Sequence, residues 1–406
     1  MADEETPEYV IPPGGGVPWM DHTMDDTGRP PERDIAITDV STMVLQANFQ
    51  WGIVTVETDA GITGIGAVHG DGPRDPGRLE GENPLDINRL RDVMWEPGPG
   101  VEMALWDIKG KLLDVPVYEL LGGIYRDSVR VYCDTHGGES LGEAQSGTVD
   151  PREVYTPESY AEAAREVVDA GFDALKFDLD VRTHADVDTP ARRLDNAAIE
   201  HKVSLVEAVR EEVGYDVDLG FDLHWNFTVE TATRLAEKLE PYDLAWLEDP
   251  VPPHKYGAHR RVREATSCPI MTGENLADPG EFKQMLDAEG MDVAAPDLHN
   301  CGGLRDFQRI AALCDLEGIP IAAHNIQGPV GTVASAHVAA SVPNFVALEY
   351  HAFDVPWFED LVDRTGESGP IIEDGSITLP EGPGLGIEID PGVAERYLLD
   401  GEELIV

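Results

Sequence analysis

Residues 217–274 read VDLGFDLHWNFTVETATRLAEKLEPYDLAWLEDPVPPHKYGAHRRVREATSCPIMTGE. Three short apolar runs stand out: VDLGFDLHW (217–225), LAWLEDP (244–250) and PIMTGE (269–274). Between the first two lies TVETATRLAEKLE, an amphipathic stretch of helical period. A strand, a helix and another strand of this size predict parallel pairing, because the chain must cross back over the sheet. The same unit recurs on both sides. Upstream it gives VRVYCDTH (129–136) and ALKFDLD (174–180). Downstream it gives DVAAPD (292–297), PIAAHN (320–325) and VALEYH (346–351). Eight strands with intervening helices predict an α/β fold, a closed TIM-type barrel. An open doubly wound sheet is the structural alternative.

The flanks read differently. Residues 1–33 are rich in Pro, Gly and Asp and predict an extended N-terminal arm. Residues 34–125 predict an α+β cap. IAITDVSTMVLQ and WGIVTVETDAGITGIGAVHG form an antiparallel sheet turning at Asp59-Ala60-Gly61, followed by helices over 84–95 and 101–121. Gly64, Gly66 and Gly70 lack dinucleotide-fingerprint spacing and read as hairpin glycines. The barrel is assigned to 126–352. Residues 353–406 return to short strand-like pieces that pack back on the cap.

The 406 residues hold 78 Asp+Glu against 29 Lys+Arg, a net charge of −49. Such a polyanion is a poor partner for nucleic acid or an anionic membrane surface. No apolar run has membrane-spanning length, and the acidic start predicts no secretory signal. Cys133, Cys268, Cys301 and Cys314 are scattered and read as buried reduced thiols in a cytoplasmic protein. There are only seven lysines. Carboxylates in this excess repel one another unless salt screens them, which predicts a salt-loving source.

Nearly every barrel strand ends in an ionisable group: Lys176 and Asp178, Asp222 and His224, Glu248 and Asp249, Glu274, Asp297, His324, Glu349. Barrel strand ends converge on one mouth, where catalytic groups collect. Asp249, followed by Pro250, reads instead as a helix cap. Asp222, Glu248 and Glu274 bring three hard oxygen ligands from consecutive strands, a set suited to Mg²⁺. Zinc is disfavoured because no Cys or His pair has ligand spacing. Asp222-x-His224 places both side chains on one strand face.

GVEMALWDIKGK, FDLHWN, WLEDP, TGEN, APDLHNCGG, AAHN and ALEYH together resemble the enolase superfamily, mandelate racemase subgroup. The resemblance covers roughly residues 35–400. It implies a modified (β/α)7β barrel under a cap built from both chain ends, with Mg²⁺ on Asp222, Glu248 and Glu274. It also implies proton removal alpha to a carboxylate. By the same resemblance His324 is the general base, oriented by Asp297. Glu349, if protonated, donates a hydrogen bond to the enediolate, and His224 is the general acid for a departing 3-hydroxyl. Lys176 supports the carboxylate end, and Asp178 binds either Lys176 or substrate hydroxyls. Asn226, Asn275 and His351 are implied substrate contacts.

Two departures matter. Relatives carry Lys-x-Lys on the second strand, whereas this chain has Lys176-Phe177-Asp178. The cap is also short between Gly70 and Val101, where Asp71-Gly72-Pro73 and Glu96-Pro97-Gly98-Pro99-Gly100 replace part of a helix and a loop. KFDLD with DLHW is most similar to haloarchaeal gluconate and xylonate dehydratases. The expected substrate is therefore an aldonate such as D-gluconate or D-xylonate, and the expected assembly a homo-oligomer between dimer and octamer. A hydroxy-acid racemase or epimerase, or a noncatalytic binding or assembly protein, are the alternatives.

Overall fold

A computed structural model describes residues 34–68, 76–93, 98–138, 154–181 and 192–406. The proposed arm (1–33), Gly70, Asp71-Gly72-Pro73 and Glu96-Pro97 lie outside the described residues.

Strands β1 (Ile37–Gln46), β2 (Gln50–Thr58) and β3 (Thr63–Val68) form a three-stranded antiparallel sheet. The expected turn joins β2 to β3: Gly61 has φ 71°, and its N–H donates to Thr58 O at 3.0 Å. Helices α1 (Ile87–Val93) and α2 (Gly98–Leu113) cover the sheet. Val54, Val56, Leu90, Val101, Leu105 and Ile108 form a core between them. Gly64 and Gly66 are in the second strand of the β2–β3 hairpin, opposite Val56 and Val54. They lie within β3, where a Cβ would stand 2.1 Å from Ala104 O and 2.0 Å from Gly100 O. Their role is to let β3 approach the α2 backbone. The single helix expected over 101–121 is two. α2 stops at Leu113, Asp114 turns left-handed (φ 57°), and α3 (Val117–Leu120) begins after Pro116.

The barrel strands are β4 (Ser128–Thr135), β5 (Ala174–Asp178), β6 (Asp218–Asp222), β7 (Trp246–Glu248), β8 (Ile270–Thr272), β9 (Val293–Ala294), β10 (Ile321–Ala323) and β11 (Phe345–Tyr350). Each pairs in parallel with the next. The ring closes through β11 and β4, with Leu348 opposite Val131 and Tyr350 opposite Cys133. Closure excludes the open sheet. The crossover helices are α4 (Pro157–Asp169), α5 (Asn196–Val213), α6 (Val229–Leu239), α7 (Tyr256–Arg263), α8 (Pro279–Asp287), α9 (Leu304–Leu316) and α10 (Pro329–Ala340). After β11 the next α-helix among the described residues is α11 (Pro391–Tyr397), so the barrel is (β/α)7β. Thr156, Asp195, Thr228 and Asp278 supply side-chain N-caps.

Inside the ring, Tyr132, Ala174, Trp246, Met271, Ala295, Ala322 and Ala347 pack beneath the mouth. Gly220 makes room for the indole, since a Cβ there would lie 2.3 Å from Trp246 Nε1. Strand alternation then lifts the polar residues two positions onward into the layer above.

The C-terminal segment does more than return to the cap. β14 (Ser376–Thr378) pairs with the first half of β4, and β13 (Ile372–Glu373) pairs with β14. β12 (Val362–Arg364) pairs with β15 (Ile387–Ile389), while Leu398 bridges to Leu45 of β1. Two buried acids of α2 tie the cap to its neighbours, Glu102 to the barrel and Asp107 to the C-terminal segment. Glu102 accepts from Leu304 N (2.9 Å) and Arg305 N (3.2 Å), capping α9 from another element. Asp107 accepts from Ile65 N (2.9 Å) and Leu385 N (2.7 Å).

Candidate active site

Asp222, Glu248 and Glu274 come from the ends of β6, β7 and the turn after β8. Each offers an oxygen, and these oxygens all lie within 4.8 Å of one another. Both Glu248 oxygens are buried and have no hydrogen-bond partner. Burial, with Asp222 and Glu349 nearby, pushes this carboxyl well above its usual range, although Lys176 opposes the shift. An all-oxygen set that repels itself and leaves buried lone pairs free fits a hard dication such as Mg²⁺.

Lys176 stands beneath the triad, 2% exposed. Its Nζ lies 2.7 Å from Glu349 Oε1 and 3.3 Å from both Asp222 Oδ2 and Glu248 Oε2; Asp134 Oδ2 is at 3.9 Å. Burial disfavours the ammonium, yet these carboxylates outweigh it and hold Lys176 well above its ordinary pKa. It is the cation of an acidic cage.

His324, just past β10, has Nδ1 2.6 Å from Asp297 Oδ2. Its Nε2 lies 3.3 Å from Glu274 Oε2 and 3.8 Å from Glu349 Oε2. Asp297 is itself fixed, because Oδ1 accepts from His299 N at 2.7 Å and Asn300 N at 3.0 Å. Burial lowers the His324 pKa, but Glu274, Glu349 and Asp297 overcome it and raise the pKa well above normal. Glu349 Oε2 accepts from Asn325 N (3.0 Å) and Tyr132 OH (3.2 Å). Burial would raise its pKa; Lys176 and the histidines outweigh that and hold it below the usual range. Both hydrogen bonds reach Glu349 as an acceptor.

His224 adopts φ 40°, and its N–H donates to Asp222 Oδ1 at 2.7 Å. Nε2 is 3.7 Å from Asp222 Oδ2, while Nδ1 lies 3.2 Å from Asp180 Oδ1 and 3.7 Å from Asp178 Oδ1. Burial works against its charge, but Asp222, Asp180 and Asp178 raise its pKa to about 12. Asp178 faces two histidines, with Oδ2 3.5 Å from His136 Nδ1. Of the two expected roles, pairing with Lys176 is not made, because the carboxylates around Lys176 come from other strands. Asn226 donates to Asp180 Oδ2 (2.5 Å) and Asn275 to Glu274 Oε1 (2.8 Å). His351 Nε2 lies 3.2 Å from Asp134 Oδ2, and burial lowers its pKa to about 3.

Asp249 is not a helix cap: α7 begins only at Tyr256, and Thr272 Oγ1 donates to its Oδ1. Sequence reasoning missed Tyr132, Asp134 and Asp180. The signal was present, since Tyr132-x-Asp134-x-His136 and Lys176-x-Asp178-x-Asp180 carry the same two-residue period as Asp222-x-His224.

Comparison with known proteins agrees with this geometry. A family model described as enolase C-terminal domain-like matches residues 159–393, and one for the mandelate racemase / muconate lactonizing enzyme N-terminal domain matches 95–122. The chain is 42% identical to a D-xylonate dehydratase of Haloferax volcanii, over 92% of this chain and 91% of that one. It is 32% identical to a D-galactonate dehydratase of Xanthomonas oryzae pv. oryzae, over 86% and 91%. The crystal structure of a mandelate racemase/muconate lactonizing enzyme-like protein from Rubrobacter xylanophilus matches with a TM-score of 0.84 at 37% identity, covering 91% of this chain and 99% of that one. Its barrel matched over more than half the chain, and its acidic triad set at the strand ends, this protein belongs to the mandelate racemase/muconate lactonizing enzyme group of the enolase superfamily.

Proposed function

We propose that the chain is a Mg²⁺-dependent aldonate dehydratase, with D-xylonate or D-gluconate as substrate. One observation carries this reading. Two histidines flank the triad, His324 Nε2 at Glu274 and His224 Nε2 at Asp222, and each is held by carboxylates through its other ring nitrogen. That arrangement supplies a base and an acid to a single bound molecule. The relatives named above, two sugar-acid dehydratases among them, support it.

Asp222, Glu248 and Glu274 would hold the dication, which when bound would supply positive charge against the negative charge that develops on the substrate carboxylate. His324 Nε2 takes the C2 proton, and Asp297 stabilises the imidazolium. As the C2–C3 double bond forms and the C3–O bond breaks, His224 donates a proton to the leaving hydroxyl, which departs as water. The enol then tautomerises to a 2-keto-3-deoxy acid. Lys176 acts through its neighbours, fixing Glu349 and the triad. A racemase needs a base on each face, and Lys176 in its cage does not offer one. Four free buried cysteines support a reducing, cytoplasmic setting.

The test is to incubate the chain with MgCl₂ in molar KCl and a panel of aldonates, then detect keto acid with semicarbazide. Product from D-xylonate or D-gluconate is expected. No product from any acid, with Mg²⁺ binding verified by calorimetry, sinks the reading.

A further inference from the structure

Asp249 is a buried carboxylate with no part in the steps above. It is 0% exposed. Its φ is 39°, in the left-handed region that side chains rarely adopt, and His224 (40°) and Trp225 (51°) share that conformation. The two corners are tied together: Trp225 N donates to Asp249 O at 2.6 Å, and Asp249 N donates to Met271 O at 3.0 Å. Strain held at the ends of two neighbouring strands, each beside a proposed metal ligand, is a mark of a functional constraint.

The side chain is only half satisfied. Oδ1 accepts from Thr272 Oγ1, whereas Oδ2 is buried with no hydrogen-bond partner. Both oxygens of the adjacent Glu248 also lack a hydrogen-bond partner, with Lys176 Nζ an ion-pair neighbour 3.3 Å from Oε2. A buried carboxylate oxygen without a donor is strongly disfavoured. Lys176 is already surrounded by Asp134, Asp222, Glu248 and Glu349. The donors that fit are water molecules of a bound cation, because Mg²⁺ keeps several of its waters when proteins bind it.

We propose that Asp249 is a positioning residue for the divalent cation. Its Oδ2 accepts hydrogen bonds from the hydration shell of Mg²⁺ held by Asp222, Glu248 and Glu274, and Thr272 fixes the carboxylate for that contact. The inference rests on the metal reading above.

Calorimetric titration of the whole chain with MgCl₂ tests it without using activity. Asp249→Asn keeps the shape and removes the charge, and is expected to weaken Mg²⁺ binding about 10- to 100-fold. Melting of the same variant in EDTA is expected to be unchanged or higher, because one buried like charge is gone. Thr272→Val, which frees the carboxylate without removing it, is expected to weaken binding by roughly 3- to 10-fold. Wild-type affinity in Asp249→Asn overturns the proposal, even if its metal-free melting point drops, since that would mark a structural role. If Asp249→Asn does not fold, Thr272→Val decides, and wild-type affinity there overturns it. Failure of the wild-type chain to bind Mg²⁺ would instead remove the metal reading itself.

Discussion

His324 and His224 divide the proposed reaction into two separable halves. His324→Asn removes the base, so both exchange of the C2 proton with solvent deuterium and keto acid formation are expected to fall by at least about 100-fold. His224→Asn removes only the acid. It is expected to retain C2 exchange, read by proton NMR, while dehydration falls by a similar factor. Loss of exchange and dehydration together in His224→Asn would contradict the assignment. The residues most visible in the chain were those at strand ends in short motifs, and His324 with Asp297 is the clearest case: their strand-end positions were legible, and the family resemblance implied the pair that stands 2.6 Å apart. Asp178 was harder, because choosing between Lys176 and other partners needs both neighbouring strands: His136 follows β4 and His224 follows β6. Asp249 was misread because an acid before proline looks like a cap, and nothing local reveals that its φ is positive.

At the scale of elements, strand order and barrel closure followed from periodicity, whereas element ends did not. The run 217–225 overshoots β6 because His224 and Trp225 are left-handed, a state that glycine advertises but His and Trp do not. Gly64 and Gly66 were legible as glycines, but their reason, contact with α2, is tertiary. Two predictions belong here. Glu102→Ala uncaps α9 from outside and is expected to lower stability by about 1–2 kcal/mol in denaturant melts. His337 of α10 accepts from Tyr118 N and contacts Leu385 O, binding α3 and the C-terminal segment through a neutral ring. Burial lowers its pKa from 6.5 to about 4. The folded state therefore binds its proton less readily than the unfolded chain does. The ring's stabilising contribution is full above pH 6.5 and is lost as pH falls toward 4. His337→Gln should thus differ most from the wild-type chain at pH 7 and converge with it near pH 4. A constant difference in melting midpoint across that window would refute the assignment.

For the whole molecule, the acids fall into two populations with opposite demands. The mouth gathers Asp134, Asp222, Glu248, Glu274, Asp297 and Glu349, all buried. Their excess charge is local and is answered by Lys176 and a dication. Most of the 78 acids contribute instead to a surface field behind the net charge of −49. Exposed pairs such as Arg165–Glu212 and Lys238–Glu200 exist, and screening weakens them. If those pairs governed the surface, salt would destabilise the fold. With so few cations the unpaired repulsion outweighs them, and screening shrinks from about 10 Å in 0.1 M salt to about 3 Å at 1 M. The expected result is a melting midpoint at least about 5 °C higher in 2 M KCl than in 0.05 M KCl, with no comparable rise in sucrose of matched osmolality. The same field opposes entry of an anionic aldonate. Salt is therefore expected to lower KM more than it changes kcat, because repulsion on approach is long-range whereas the Lys176 and histidine contacts are buried and short. A melting midpoint no lower in 0.05 M KCl than in 2 M, or a KM insensitive to salt, would mean that the surface charge is already neutralised by the protein's own pairing.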